Sequence, residues 1–302
     1  MSIAHRILAG VAGAGLMLLP AAAAHAAPAP TASVSADRLV LEPGSRGYTG
    51  TMPVTVRYRG AEPAHLTVRI TEPVQGSWKD LELGAPCLYH YTDDGRRIGI
   101  CHIDGEFQPG ETRVLDATFE VLTKTRTFAM SLPAAPITVG VTDVMTGTWT
   151  QTDADTYNTR FRSTDGSLAN PRPYVRDTES NASVTVGASV TLTRGEDGSF
   201  HGRLPVTVTW KGDVAHEYVF LDAKLPSGIW VEGTDPDYGT FASPMMQGET
   251  RTFDLLIGAP AETRPGDYGQ VVAEVSAYWD GQQIVDRTPA DNADTFTLSI
   301  VG

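Results

Sequence analysis

The residues with the clearest capacity for chemistry are two cysteines and two histidines that lie close together in the first half of the chain. Cys87, His90, Cys101 and His102 offer two sulfur and two imidazole ligands, a donor set that zinc binds in structural sites. The same cysteines can instead be oxidised to a disulfide, as is common in exported proteins. The sequence between the two cysteines bears on this choice.

That sequence is typical of a β-hairpin. Asp93-Asp94-Gly95 can form a three-residue turn with the glycine in the left-handed conformation. Continuing the pairing back from this turn places Cys87 directly opposite Cys101, and strand alternation points His90 away from them. We therefore predict a disulfide, worth about 3 kcal/mol in the chain-entropy model, with zinc as the alternative.

Acidic residues on predicted loops are the candidates for calcium. Asp235, Asp237, Asp291 and Asp294 carry hard carboxylate oxygens, and Ca²⁺ takes six to eight oxygen ligands. None of these segments matches the EF-hand loop, and aspartates in loops also form turns and carry solvated charge. We predict no bound metal and no other cofactor, and keep these four residues as the calcium alternative.

Four tryptophans are the candidates for contact with carbohydrate, because exposed aromatic faces can stack on sugar rings. They are Trp78, Trp149, Trp230 and Trp279. Trp78 and Trp230 follow similar segments containing Pro and Gly in the two halves, and recurrence at one structural position favours packing. A row of exposed rings on one sheet face would favour carbohydrate binding instead.

Groups for catalysis are present singly but not in a recognisable motif. The sequence has no Gly-x-Ser-x-Gly elbow, His-Glu-x-x-His pair or Gly-rich phosphate loop. Glu232 and Asp235 could in principle be the carboxylate pair of a glycoside hydrolase, but such residues are common in the loops of an acidic protein. Lys211, at a strand end, is unsuited to a buried Lys–Asn crosslink. We predict no catalytic residues, with a carboxylate-pair hydrolase as a distant alternative.

Alternation of apolar and polar residues predicts that these groups are held by β-strands. Val54, Val56 and Tyr58 alternate with polar residues, and Phe253–Ile257 does the same in the second half. The stretch Val114–Leu132 could also line a helix, but its counterpart alternates, so we predict a strand there. About seven short strands per half, separated by frequent turns, favour antiparallel β-sandwiches of immunoglobulin type.

The two halves of the chain resemble each other. Pro53–Gly60 recurs as Pro205–Gly212, and Gly110–Arg113 recurs as Gly248–Arg251. The stretch between these two matches is longer in the first half, and both cysteines lie in it. Several matches in the same order indicate an internal duplication.

The predicted organisation begins with a leader. Residues 1–26 contain one charged side chain, Arg6, then an apolar run and Ala24-His25-Ala26. This pattern is typical of a cleaved signal peptide, and the run is shorter than the roughly 20 residues that cross a membrane. The remaining segments are a first sandwich at 27–161, a linker at 162–180 and a second sandwich at 181–302.

Composition limits the partners. The 302 residues include 23 Lys and Arg against 36 Asp and Glu, a formal net charge of −13. This charge repels nucleic acids and anionic membranes. With no membrane span predicted after the leader, we expect export followed by release or by non-covalent retention at the cell surface.

Together these motifs resemble a bacterial conserved-repeat family known as domain of unknown function eleven. The resemblance is carried by a strand ending at a glycine, a stretch with Pro or Gly, the cysteine pair, a Gly-Glu turn and an acidic segment before the last strand. Besides Cys87 and Cys101, the matching stretches are Arg57–Gly60, Thr209–Gly212, Thr71–Gly76, Asp222–Gly228, Gln108–Glu111, Met246–Glu249 and Asp291–Thr295. It implies repeated immunoglobulin-like sandwiches in exported or surface proteins, often as spacers, with no catalytic residues.

We therefore predict a secreted, non-enzymatic structural or interaction protein, extracellular or loosely attached to the cell surface. Its rigid sheets would present loops to a partner, either a protein or an envelope glycan. The alternative function is a carbohydrate-binding module of the cell envelope.

Overall fold

A computed structural model describes residues 31–237 and 242–302; the predicted signal peptide, 1–26, lies outside these residues. Apart from one 3₁₀ turn at Pro289–Asp291, every regular element in the described residues is a β-strand, so the all-β prediction is confirmed.

The strands of the first half are β1 (Ala32–Ala36), β2 (Leu39–Gly44), β3 (Gly47–Tyr58), β4 (His65–Thr71), β5 (Asp80–Leu83), β6 (Leu88–Tyr91), β7 (Arg97–His102), β8 (Thr112–Val121), β9 (Met130–Ser131), β10 (Ala135–Thr142), β11 (Trp149–Tyr157), β12 (Thr159–Phe161) and β13 (Arg172–Pro173). Those of the second half are β14 (Ala182–Val186), β15 (Ser189–Arg194), β16 (Phe200–Trp210), β17 (Tyr218–Ala223), β18 (Trp230–Asp235), β19 (Ala242–Ser243), β20 (Thr250–Ala259), β21 (Gly266–Trp279), β22 (Gln282–Gln283) and β23 (Ala293–Val301).

Two sheets form the first sandwich. One has the strand order β13-β9-β12-β2-β3-β8-β5, with β1 also paired to β3, and the other has the order β11-β10-β4-β7-β6. Of the stretch Val114–Leu132, the part up to Val121 belongs to strand β8, whose residues Ala117, Phe119 and Val121 are buried in the core, and strand follows again only at β9. The period of two in its buried residues explains why it joins a sheet.

In the second half the strands form one continuous hydrogen-bonded path, β18-β20-β16-β15-β23-β21-β17-β19, with β14 on β16 and β22 on β21. Strand β15 joins the two layers of this sandwich. Thr193 and Arg194 of β15 pair antiparallel with β16, and Ser189–Thr193 pairs parallel with β23. The single path therefore still gives two facing layers.

The apolar side chains form two separate cores. One contains buried residues from Ala32 to Tyr174, and the other contains residues from Ala182 to Ile300. Strand β13 pairs with β9, and Tyr174 packs against Phe161 with ring centroids 5.0 Å apart. Part of the segment predicted as a linker thus packs on the first sandwich.

Equivalent strands of the two halves pair in equivalent registers. Ala32 of β1 lies opposite Tyr58 of β3, as Ala182 of β14 lies opposite Trp210 of β16. The halves differ beside β4, where β7 pairs along Thr67–Thr71 and β6 extends the sheet further. In the second half the short strand β19 lies at this place beside β17. The β6–β7 hairpin is the extra stretch of the first half.

Candidate functional site

The cysteine hairpin has the predicted register. The Thr92 N–H donates to the Arg96 carbonyl oxygen, and Gly95 has a φ of 74°, as the three-residue turn requires. Cys87 and Cys101 face each other with Cα atoms 4.5 Å apart, the spacing of a non-hydrogen-bonded strand pair, and their sulfur atoms are bonded. The disulfide prediction is confirmed.

The two histidines of the zinc alternative lie apart from the sulfurs. His90 is exposed on β6, and the Nδ1 of His102 shares a 2.9 Å hydrogen bond with the Thr67 hydroxyl. Because Cys87 and Cys101 are bonded to each other, neither supplies a thiolate. The four residues therefore do not form a zinc ligand set in this structure.

The tip of the hairpin contacts the second half of the chain. The Nε1 of Trp279 donates to the Gly95 carbonyl oxygen at 3.1 Å, and the Arg97 guanidinium lies 4.3 Å from the centroid of the indole ring. The Tyr91 ring meets the Trp279 ring edge-on, and the Tyr91 hydroxyl donates to Glu217. Trp279 is only 6% exposed, yet it belongs to neither hydrophobic core. It is buried because the hairpin covers it.

A second set of contacts between the halves is polar and buried. Asp213 accepts hydrogen bonds from the hydroxyls of Thr123 at 2.8 Å and Tyr174 at 3.2 Å. The Arg176 Nη2 lies 3.4 Å from Asp213 Oδ1, and Arg176 also donates to the Gly76 carbonyl oxygen. The side chains of Arg176 and Asp213 are 8% and 6% exposed. We call the hairpin tip, Trp279 and this network together the junction.

On the side of the first half, Glu72 organises the loop that borders the junction. Its buried carboxylate accepts backbone N–H groups of Gly76 at 2.9 Å, Trp78 at 3.2 Å and Arg97 at 2.9 Å. Burial raises the pKa of Glu72 to about 7, although these donors and the charge of Arg97 act in the opposite direction. Ionisation of Glu72 is therefore linked to the stability of this region.

On the side of the second half, His216 is held as a neutral ring. Its Nε2 accepts the Met245 N–H at 3.1 Å, so its Nδ1 carries the proton and donates to the Val214 carbonyl oxygen at 2.9 Å. Burial lowers the pKa of His216 to about 4, and the charge of Arg176 acts in the same direction. Protonation would break the bond to Met245 and add a second cation near Arg176.

The four aspartates of the calcium alternative have partners within the chain. Asp235 is paired with an arginine, Asp291 lies 3.5 Å from a lysine Nζ, and Asp294 accepts a backbone N–H at 2.9 Å. Asp237 also has an interaction partner. Within residues 31–237 and 242–302, no group of three or more His, Cys, Asp or Glu side chains is arranged to hold a metal ion.

The four candidate tryptophans differ in exposure. Trp78 and Trp279 are buried, and Trp149 is half-buried with the Arg69 guanidinium 3.7 Å from its ring centroid. Trp230 is 44% exposed, at the start of strand β18. Of these four residues, Trp230 alone presents a large part of its ring to solvent.

Strand β18 also carries the two carboxylates considered for hydrolysis. Glu232 binds His201 Nδ1 at 2.9 Å, and Asp235 accepts a 2.6 Å hydrogen bond from Arg203. The hydrogen bond to Glu232 is the main cause that raises the pKa of His201. Each carboxylate is thus hydrogen-bonded to a basic side chain on the sheet surface.

Sequence reasoning missed the roles of two recurring carboxylates. Asp155 accepts the Ala36 N–H at 3.3 Å, and Asp294 accepts the Val186 N–H at 2.9 Å. Each carboxylate satisfies an edge N–H of the first strand of its sandwich. The available signal was the Asp-Thr-aromatic sequence that recurs near the end of each half.

The recurring Gly-Glu-Thr-Arg sequence also has a structural role. Glu111 accepts 2.7 Å hydrogen bonds from the Gln108 N–H and from Arg113 Nε. Glu249 does the same with the equivalent turn and arginine of the second half. These glutamates stabilise a turn and orient an arginine.

No protein-family model and no curated protein matches the sequence. The resemblance to domain of unknown function eleven therefore stays a prediction. In the described part of the chain there is no helix with the length and apolar character to span a membrane.

Solved structures with which the chain shares similarity have low TM-scores. A protein of unknown function from Porphyromonas gingivalis W83 has a TM-score of 0.23 at 12% identity, over 89% of this chain and 98% of that chain. The YadV chaperone has a TM-score of 0.23 at 10% identity, over 88% and 99%. The CupB6 tip adhesin from Pseudomonas aeruginosa has a TM-score of 0.25 at 12% identity, over 89% and 99%. With TM-scores this low, none of them informs the function of this chain.

Proposed function

We propose that this protein is an exported, non-enzymatic interaction protein whose two β-sandwiches, fixed against each other at the junction, present loops and sheet faces to a partner at or near the cell surface. The observation that carries this proposal is the docking of the cysteine hairpin on Trp279. The hairpin belongs to the first half and covers a tryptophan of the second half, so this contact holds the two halves in one arrangement. A fixed arrangement suits a scaffold that positions binding surfaces.

The far end of the first sandwich carries an ordered loop suited to contact. Thr142 pairs with His65 at the start of β4, whereas the junction follows the other end of β4. In the turn after Thr142, Asp143 accepts the Met145 N–H at 2.9 Å, and the Met145 side chain is 90% exposed. The turn is thus held in shape while it displays an apolar side chain to solvent.

Export is supported by the disulfide, because disulfides persist in oxidising compartments outside the cytosol. The signal peptide at 1–26 stays a prediction and agrees with this proposal. A non-enzymatic role is supported by the hydrogen bonds that hold Glu232 to His201 and Asp235 to Arg203, because both carboxylates are engaged within the sheet surface.

Binding of the labelled protein to cells of the organism that produces it tests the proposal. We expect the wild-type chain to bind and Trp279→Ala to bind at least tenfold more weakly, with both sandwiches folded. Trp149→Ala, a matched loss of an indole away from the junction, should bind like the wild type. Absence of binding by the wild-type chain, or equal binding by Trp279→Ala, would contradict the proposal.

A further inference from the structure

We infer that the outer face of β18 and its neighbours β20 and β16 is a binding site for an uncharged glycan, with Trp230 as the stacking platform and flanking ion pairs as hydrogen-bonding groups. This inference rests on the proposed role as an interaction protein and names one class of partner. We call this surface the β18 face and define it by Trp230, Glu232, Asp235, His201 and Arg203.

The exposure of Trp230 is the first observation. Trp210, the other tryptophan on this side of the second sandwich, is completely buried, whereas Trp230 is 44% exposed. Among the described residues, no aromatic ring and no cationic side chain packs against the Trp230 ring. The ring therefore leaves an apolar surface in water. Sugar rings have apolar C–H faces that can cover such a ring.

A carboxylate lies beside the ring, and this is the second observation. Trp230 lies opposite Gly258 of β20, which in turn lies opposite His201 of β16. A side chain at Gly258 would collide with the Glu232 carboxylate, which lies across this position to reach His201. Two strand spacings, roughly 10 Å, separate Trp230 from His201, and the Glu232 carboxylate lies between them, where it can accept a hydrogen bond from a sugar stacked on the ring.

Further polar groups lie on the same face. Glu232 binds His201 at 2.9 and 3.1 Å, and Arg203 Nη1 donates to Asp235 at 2.6 Å and to Asp254 at 3.2 Å. Arg203 is more than half exposed, and its guanidinium has further N–H donors. Each pair therefore offers a donor and an acceptor to adjacent hydroxyl groups.

The charges of the β18 face select against charged glycans. Glu232, Asp235 and Asp254 outweigh Arg203 and His201, so an anionic sugar is repelled. A cationic sugar would have to compete with the arginine and histidine already bound to these carboxylates. An uncharged pyranose needs only the ring face and the donor–acceptor pairs.

The position of the β18 face leaves it open to a large ligand. The junction residues Asp213–Glu217 follow the end of β16, whereas His201 lies near its start. Trp230 is in register with His201, so it is at the end of the second sandwich away from the junction. A polysaccharide could reach it without contacting the first half.

Calorimetric titration of the full chain without its leader tests this inference. The probes are cellohexaose and the hexamer of N-acetylglucosamine, both uncharged, with the cationic glucosamine hexamer and an oligogalacturonate as charged counterparts. We expect binding of at least one uncharged hexamer, little change between 50 and 500 mM salt because the ligand carries no charge, and at least a tenfold loss in Trp230→Ala. Glu232→Gln should weaken binding severalfold by removing an acceptor without removing the ring.

Val114→Ala, which removes another exposed apolar side chain on a strand of the first sandwich, should bind like the wild type. Thermal unfolding would verify that each variant is folded. No binding of either uncharged hexamer, binding of the cationic hexamer alone, or equal binding by Trp230→Ala would overturn the inference. Cell binding by the two variants separates the two proposals. If the glycan inference fails, Trp279→Ala should still weaken cell binding, because the junction does not depend on the β18 face.

Discussion

Strands β4 and β17 occupy equivalent places in the two sandwiches but have different neighbours. Beside β4 the chain adds the β6–β7 hairpin, closed by Cys87–Cys101, and beside β17 it adds only the short strand β19 among the described residues. The halves also differ at the other edge, where β12 is a separate strand that pairs with β9, whereas β23 is continuous in the second half. The comparison shows how one framework acquires an asymmetric role by a single inserted hairpin.

The insertion matters because of what it reaches. Its tip brings Tyr91, Gly95 and Arg97 into contact with Trp279. Trp279 lies outside the hydrophobic cores of both halves, so this contact is what buries it. One element thus extends a sheet in the first half and closes the contact with the second.

The largest effect is expected from Asp213→Ala, which leaves Arg176 buried without its partner. We expect a loss of about 4 kcal/mol in the free energy of unfolding, measured with denaturant, since removal of one member of a buried ion pair costs this much. Asp235→Ala, which breaks an exposed ion pair of the same half, should have a far smaller effect. Equal effects of the two substitutions would refute the assignment of the network as a buried anchor.

Removing the disulfide should act on one half only. Cys87→Ser with Cys101→Ser is expected to lower the stability of the first sandwich by about 3 kcal/mol, because the unfolded chain without the crosslink has more conformational entropy. Hydrogen exchange measured along the chain resolves the two halves. Faster exchange in the core of the first sandwich with an unchanged core in the second is the expected result; uniform acceleration in both would count against it.

Glu72 should make the first sandwich more stable at mildly acidic pH. The pKa of its carboxyl rises from an ordinary 4.5 to about 7 in the fold, so its contribution is present below about pH 4.5 and is lost as the pH rises through 7. The expected difference between pH 4.5 and 7.5 is about 3 kcal/mol. Glu72→Gln should flatten this dependence in denaturant titrations at several pH values. If the free energy of unfolding of the variant depends on pH as that of the wild type does, another group is responsible.

His216 should give the second sandwich the opposite pH dependence, with lower stability at acidic pH. Its pKa falls from 6.5 to about 4 in the fold, so its contribution is present above about pH 6.5 and is lost as the pH falls towards 4. We expect about 2 kcal/mol of destabilisation of the second sandwich at pH 5 relative to pH 7.5, measured by denaturant titration, because the unfolded chain takes up a proton that the folded ring does not. Equal stability of the second sandwich at the two pH values would contradict this.

The sequence was sufficient for features whose partners are near in the chain. The turn at Asp93-Asp94-Gly95 sets the hairpin register and with it the Cys87–Cys101 pair, and the alternation in β3 and β20 sets their inner faces. It was insufficient for the junction, because Trp279 meets Gly95 across a sequence separation of 184 residues. The sequence pattern around a tryptophan is the same whether its ring is buried between two domains or in a hydrophobic core.

The same limit applies to charged groups. Nothing around Asp213 distinguishes it from the aspartates of solvated loops, and only the fold brings Arg176 and Thr123 to it. Trp230 and Glu232 were visible as candidates, but their common face depends on pairing with β20 and β16. Tertiary contact, not local pattern, determines which candidates act together.

The most direct test of the fixed arrangement is a distance distribution between spin labels introduced at positions 145 and 196, which are exposed loop residues in the first and second halves. The wild-type chain should give one narrow distribution, and Trp279→Ala combined with Arg97→Ala should give a broad one. A broad distribution in the wild type, or an equally narrow one in the variant, would contradict the role assigned to the cysteine hairpin.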